Sequence, residues 1–462
     1  VSEPRPPWRL DSWRALPARH HPRYEDERRL AWVVERLRSL PPLVSSWEVE
    51  RLRALLADAE EGRRFVLQGG DCAESLADCT PSVITNKLKI LLQMSLVLVH
   101  GGKRPVVRVG RLAGQYAKPR SSPTETRDGV TLPSYLGDLV NRAAFDADSR
   151  RHDPDLMLVG YQHAALTLNF VRALVDGGFA DVHHPEYWDL SFFERADLPP
   201  DLRAEYQRTS ASLAEALRFM EALGETTIDD LTRVEFYTSH EGLNLWYESA
   251  QTRTVPRRPG HYDLTTHFPW IGERTRALDG AHVEFFRGVR NPVGVKLGPE
   301  TSTEEVLALC EVLNPDDEPG KLVFIARMGA TRVEAKLPPL IEAVRRAGRR
   351  VLWLCDPMHG NGILTASGKK TRDFADILRE LESSFDVHAE LGSWLGGVHF
   401  ELTGEDVTEC IGGGISEVDL DLRYDSLCDP RLNYRQSLEM AFLLARRLAE
   451  ATRPASLVRH RL

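Results

Sequence analysis

Eight short apolar runs, each followed at once by polar residues, constrain this chain more than any other feature. They are Phe65-Val-Leu, Pro105-Val-Val-Arg-Val, Val234-Glu-Phe-Tyr, Phe268-Pro-Trp-Ile, Pro292-Val-Gly-Val, Leu322-Val-Phe-Ile, Val351-Leu-Trp-Leu and Gly397-Val-His-Phe. The runs are strand-length, and the connections between them are long enough for helices, as parallel crossovers require. The fourth contains Pro269, which argues against a strand if taken alone. After the runs come Gln68-Gly-Gly-Asp-Cys72, Arg111, Ser239-His-Glu241, Gly272-Glu-Arg274, Lys296, Arg327, Asp356-Pro-Met-His359 and Glu401. In an eight-stranded parallel α/β barrel all eight exits converge on one face, where the active site is assembled, and eight equipped exits are hard to obtain by chance. The predicted fold is therefore an α/β protein, a (β/α)8 TIM barrel.

Residues 1–62 precede the first run and carry Leu and Val at helical spacing through Leu30–Leu40 and Val49–Leu56, so they read as an N-terminal helical extension. The barrel then occupies residues 63–462. Helical patterns fill the connections at Asn86–Val99, Glu304–Leu313, Leu337–Ala347, Asp373–Phe385 and Gln436–Leu448. The connection after the second run is unusually long, and its part around residues 186–226 reads as an inserted helical pair suited to subunit contact or regulation.

A length of 462 residues with 42% hydrophobic and 27% charged residues excludes a disordered or fibrous chain. The net charge of −9 supplies no general attraction to nucleic acid or an anionic membrane, so bound phosphate must be gripped locally. The longest apolar stretch, Ile90–Val99, falls short of a membrane span, and the charged, proline-rich first residues do not resemble a signal peptide. The expected location is cytoplasmic. The six cysteines form no Cys-x-x-Cys pair and are too sparse for a disulfide scaffold.

Cys72, His359, Glu401 and Asp429 combine a thiolate, an imidazole and two carboxylates, a set suited to a divalent metal. Singly, each has an ordinary reading as well: a buried small hydrophobe, a loop hydrogen-bonder, an ion-pair partner, and a turn residue before Pro430. A second set is cationic. Arg111, Arg274, Lys296 and Arg327 follow runs two, four, five and six, and read either as an anion-binding face or as structural salt bridges. Only nine of the 59 basic residues are lysines, so a lysine at a run end is notable. Lys118, Arg120 and Ser121, on the loop past run two, offer a second phosphate site. His183 and His184 read as part of a solvated or regulatory loop, and Gly412-Gly-Gly414 lacks the spacing of a dinucleotide site.

Along nearly its whole length the sequence resembles the type II, plant-like 3-deoxy-D-arabino-heptulosonate 7-phosphate (DAHP) synthases. The strings that carry the likeness include LQGGDCAES at 67–75, GRLAGQYAKPRS at 110–121, TSHEGL at 238–243, WIGERTRALDGAHVEF at 270–285, NPVGVKLGP at 291–299, CDPMHGN at 355–361, GVHFELTGEDVTECIGG at 397–413 and CDPRLN at 428–433. The resemblance implies a metal held by Cys72, His359, Glu401 and Asp429, and that mixture of soft and hard donors suits Mn²⁺ or Co²⁺. It implies phosphoenolpyruvate (PEP) bound by Arg111, Glu273, Arg274, Lys296 and Arg327, and the phosphate of erythrose 4-phosphate bound by Lys118, Arg120 and Ser121. Lys118 is then a candidate to protonate the aldehyde oxygen, and Glu273 to position the attacking water. The extension, including LPPLV at 40–44, is similar to that of the longer members, which implies a homo-oligomer controlled by an aromatic amino acid or by a chorismate mutase. Departures from the family pattern fall at Asn141-Arg142, Gly362 and Gly392-Ser-Trp-Leu395. Two alternative functions are an amino-analogue synthase of an aminoshikimate route and a catalytically silent regulatory barrel.

Overall fold

The computed structural model describes residues 5–177 and 235–451, together with the isolated positions 204, 207, 208 and 211. Eight parallel strands close into a barrel: β1 Phe65–Gly70, β2 Val106–Arg111, β3 Phe236–Glu241, β4 Phe268–Ile271, β5 Val293–Leu297, β6 Leu322–Ala326, β7 Leu352–Cys355 and β8 Leu395–Glu401. Each strand pairs with its neighbours in sequence, and β8 returns to β1. Each of the eight runs falls on a strand, the third from Phe236 onward. Pro269 is accommodated because β4 is short and its ladder to β5 begins only at Trp270, so the missing N–H removes no bond on that side.

Strand periodicity explains why chemistry sits at the exits. Val66, Val107, Val109, Tyr237, Phe268, Trp270, Val323, Ile325, Leu352 and Leu354 fill the barrel interior as one apolar cluster. Two residues further along the same inward face come Gln68, Arg111, Ser239, Arg327, Asp356 and, from the other strands, Lys296 and His399. The barrel is thus apolar below and polar above. Gly294 belongs to this packing, since a Cβ there would lie 2.8 Å from that of Trp270.

The N-terminal extension supplies two helices, Glu27–Ser39 and Ser46–Glu60. The second begins with a capping box in which the Ser45 side chain accepts from the Glu48 N–H and the Glu48 carboxylate accepts from the Ser45 N–H, an arrangement worth about 1 kcal/mol. Its Leu52, Leu55, Leu56 and Ala59 join the interior cluster, so this helix plugs the barrel end opposite the strand exits. Around the outside, Pro81–Gly102 packs on the C-terminal helix Tyr434–Ala451. Pro81–Gly102 is long and apolar enough by composition to cross a bilayer, but most of it is buried within the molecule. The other expected helices appear as Thr303–Leu313, Val333–Arg346 and Phe374–Glu390. The inserted pair at 186–226, with His183 and His184, lies outside the described residues apart from the four isolated positions.

Candidate functional site

The strand exits surround a cavity of about 300 Å³ lined by Arg111, Lys118, Glu241, Trp270, Glu273, Arg274, Lys296, Arg327, His359, Arg372 and Asp429 among others. On one side lie the donors expected for a metal. Cys72 follows β1, Glu401 ends β8, and Asp429 comes from the loop after β8. Their ligand atoms all fall within 4.8 Å of one another, close to the separation of about 4.6 Å that bonds of about 2.3 Å to one ion permit. His359 adjoins the set, with Nε2 2.9 Å from Glu401 Oε1. A thiolate, two carboxylates and an imidazole fit a borderline divalent ion. Burial pushes the His359 pKa down, which favours the neutral imidazole that ligates.

The ammonium of Lys118 enters the same space. Its Nζ is 2.5 Å from Cys72 Sγ, 3.0 Å from Glu401 Oε1 and 2.6 Å from Asp429 Oδ2. Burial opposes its charge, yet Asp429, Cys72 and Glu401 outweigh burial and hold its pKa well above the usual value. The loop that carries Lys118 is fixed from below: the Glu74 carboxylate accepts N–H bonds from Ala113, Gly114 and Gln115 at 3.1, 2.9 and 2.9 Å. Gly114 is needed there, because a Cβ would approach His240 Nδ1 to 2.4 Å.

Glu401 is the hub. Besides Lys118 and His359, Arg111 Nη2 reaches its Oε1 at 3.1 Å and Arg372 Nη2 its Oε2 at 2.8 Å. Burial disfavours its charge, but His359, Lys118, Arg372 and Arg111 prevail and keep its pKa well below the carboxylate range. Arg111 also donates to the carbonyls of Asp71 and Cys72 at 2.9 and 3.1 Å, so much of its fork supports the donor set from beneath.

On the opposite wall, Lys296 pairs with Asp356, whose Oδ2 also meets His359 Nδ1 at 2.7 Å. Arg327 donates to the His359 carbonyl, and Arg274 is exposed to the cavity. Burial, with Arg111 assisting, lowers the Lys296 pKa to about 8 although Asp356 pulls the other way. Its charge is present below that pH and lost above it. The KM for an anionic ligand at this wall is therefore expected to rise as pH passes about 8, and Lys296→Arg, which keeps its charge, should flatten that rise in a pH profile.

A family model described as the class-II DAHP synthetase family matches residues 8–445. The chain belongs to that family. It is 50% identical to a phospho-2-dehydro-3-deoxyheptonate aldolase of Streptomyces coelicolor over 437 residues, covering 94% of this chain and 96% of the relative. It is 47% identical to the enzyme of that name from Neurospora crassa over 458 residues, covering 95% and 94% respectively. With one from Mycolicibacterium smegmatis it shares 44% identity over 449 residues, covering 96% and 95%.

For this class-II DAHP synthetase family member, the structure brings Cys72, His359, Glu401, Asp429, Arg111, Lys118, Glu273, Arg274, Lys296 and Arg327 to one cavity or its floor. Arg120, half-buried, and Ser121, exposed, lie just beyond the lining residues, on the loop that continues from Lys118. Glu273 is braced by Arg276 at 3.1 Å. Several lining residues, Glu241, Arg372 and Gly362 among them, have no role assigned from sequence. Glu241 is half-buried beside Lys118, Lys296, Arg274 and Arg111, and among the described residues its buried Oε1 has no hydrogen-bond partner; its position at a strand exit was the available signal. Arg372 comes from the hairpin Gly362–Leu364 with Lys370–Arg372, which no apolar run announces. Gly362, one of the departures from the family pattern, also lines the cavity.

Cys428, next to Asp429 in the chain, is buried beside Cys72, and both cysteines are free. Oxidising metal-free protein with diamide is expected to link Cys72 to Cys428, as read by peptide mass spectrometry, and to inactivate it faster than Cys428→Ser. Equal rates without a linked peptide would contradict this.

Proposed function

We propose that this chain condenses PEP with erythrose 4-phosphate and water to give DAHP and phosphate, the first step of the shikimate pathway, using a divalent metal held by Cys72, His359, Glu401 and Asp429. The relatives' shared name, phospho-2-dehydro-3-deoxyheptonate aldolase, supports this reading. The observation that carries it is the meeting, in one cavity of about 300 Å³, of a cysteine–carboxylate donor set with a wall of Arg274, Lys296 and Arg327. PEP bears a phosphate and a carboxylate, so those cations both neutralise it and fix its orientation. Mixed soft and hard donors favour Mn²⁺ or Co²⁺ over Mg²⁺, which prefers an all-oxygen shell.

When bound, the metal supplies Lewis-acid polarisation of the aldehyde. Arg274, Lys296 and Arg327, with Glu273 braced beside them, hold PEP so that its C3 faces the aldehyde carbon. Arg120 and Ser121 take the phosphate of erythrose 4-phosphate at the rim. As the C3–C1 bond forms, Lys118 gives a proton to the aldehyde oxygen. Water adds at C2, its proton passing to Glu241, whose free oxygen is buried beside the cationic wall. Phosphate then leaves from C2. The intact cationic wall and donor set argue against a silent barrel.

The test is a turnover assay on metal-free protein supplied with Mn²⁺, PEP and erythrose 4-phosphate under reducing conditions. Equimolar loss of PEP and release of phosphate, with a seven-carbon 3-deoxy sugar-acid phosphate by mass spectrometry, is the expected result. No PEP loss, or turnover only with the imino form of the aldose phosphate, would overturn it.

A further inference from the structure

The donor set has a second layer that the reaction does not touch. Asp71, immediately before Cys72, is completely buried, and its Oδ1 accepts from Arg431 Nη1 at 2.6 Å while its Oδ2 meets Lys87 Nζ at 2.5 Å. Arg431 lies two residues after Asp429. Its guanidinium is forked onto Glu409, with Nε 3.0 Å from Oε2 and Nη2 2.7 Å from Oε1, and its own backbone N–H adds a bond of 2.7 Å to Oε2. The completely buried Glu409 carboxylate also accepts from the N–H groups of Asp425 and Ser426 at 3.2 and 2.8 Å. It therefore grips the loop on both sides of Asp429. Within that loop Ser426 Oγ donates to the Asp429 carbonyl at 2.7 Å. None of Asp71, Glu409 and Arg431 lines the cavity.

We propose that Glu409, Arg431 and Asp71 form a positioning chain that fixes the Asp429 carboxylate relative to Cys72 and so sets the affinity of the metal site. The proposal rests on the metal reading given above. A planar fork with several donors can hold two carboxylates at fixed angles, which a lysine cannot do. Through Arg431 the loop after β8 is tied to the segment that ends β1, so two donors from opposite ends of the chain share one rigid support. Outer groups of this kind orient metal ligands, and their loss typically weakens metal binding about 10–100-fold. The PEP wall stands on β4, β5 and β6, away from this chain.

The test uses full-length Glu409→Gln and Arg431→Lys, stripped of metal and titrated with Co²⁺. Affinity is read by competition with a chromophoric chelator, and site geometry by the thiolate-to-cobalt charge-transfer absorption. The expected result is a Kd for Co²⁺ raised about 10–100-fold, an altered charge-transfer band, unchanged PEP affinity in the metal-free protein, and kcat restored to within a few-fold of wild type at saturating Co²⁺. Wild-type Co²⁺ affinity in either folded variant overturns the proposal, as does a kcat that saturating Co²⁺ fails to restore. If Glu409→Gln does not fold, Arg431→Lys decides; failure of both to fold makes the chain a fold determinant and also overturns it. Cys72→Ser separates the two readings: if it keeps Co²⁺ affinity and the absorption band, the metal-site assignment itself has failed.

Discussion

Chelation followed by dialysis is expected to lower kcat by about 10³-fold, with Mn²⁺ or Co²⁺ restoring it. Metal polarisation of a carbonyl is worth several kcal/mol, and each 1.36 kcal/mol is tenfold in rate. A loss of that size follows because the donor set binds no other group that could neutralise an alkoxide as directly. Lys118 brings one positive charge to Cys72, Glu401 and Asp429, where the proposed metal would bring two. Glu401→Gln should also impair activity strongly, because Lys118, His359, Arg111 and Arg372 all depend on that carboxylate. Steady-state rates of chelated and reloaded protein check the first expectation, and full activity in metal-free protein would contradict it.

The second large effect divides the two substrates. Lys296→Ala and Arg327→Ala are each expected to reduce kcat/KM for PEP by an amount equivalent to about 2–5 kcal/mol, the usual penalty for removing one partner of a buried charged contact. Their influence on the KM for erythrose 4-phosphate should be smaller. Arg120→Ala should show the reverse, since Arg120 stands beyond the cavity lining on the loop from Lys118. Initial rates with each substrate varied in turn provide the test. Equal effects on both substrates would contradict the two-site arrangement.

The barrel was legible because its strands are buried on both faces and read as apolar runs, while the same periodicity places the next inward residue at the rim. Arg111, Lys296, Arg327 and Glu401 were accordingly visible at strand ends. Pro269 misled only in isolation, since a strand of four residues tolerates what a long central one does not. Other features depend on tertiary approach and leave little local trace. Lys118 was readable as a phosphate ligand on a loop, but the Glu74 cradle turns that loop inward until Nζ meets the metal donors. Arg111, expected at PEP, spends much of its fork on backbone carbonyls and Glu401. Arg372 sits in a three-residue hairpin strand and Arg431 in an irregular segment, both too short of pattern to read by period, and their partners are remote in sequence.

The most direct test of the account is a crystal structure of the protein with Mn²⁺ and PEP, with data collected to show the anomalous signal of manganese. The account predicts one strong peak bonded to Cys72 Sγ, His359 Nε2, Glu401 and Asp429 at roughly 2.0–2.4 Å, with Lys118 Nζ moved out toward the cavity and PEP against Arg274, Lys296 and Arg327. A manganese peak elsewhere, with Lys118 Nζ still seated among Cys72, Glu401 and Asp429, would contradict it.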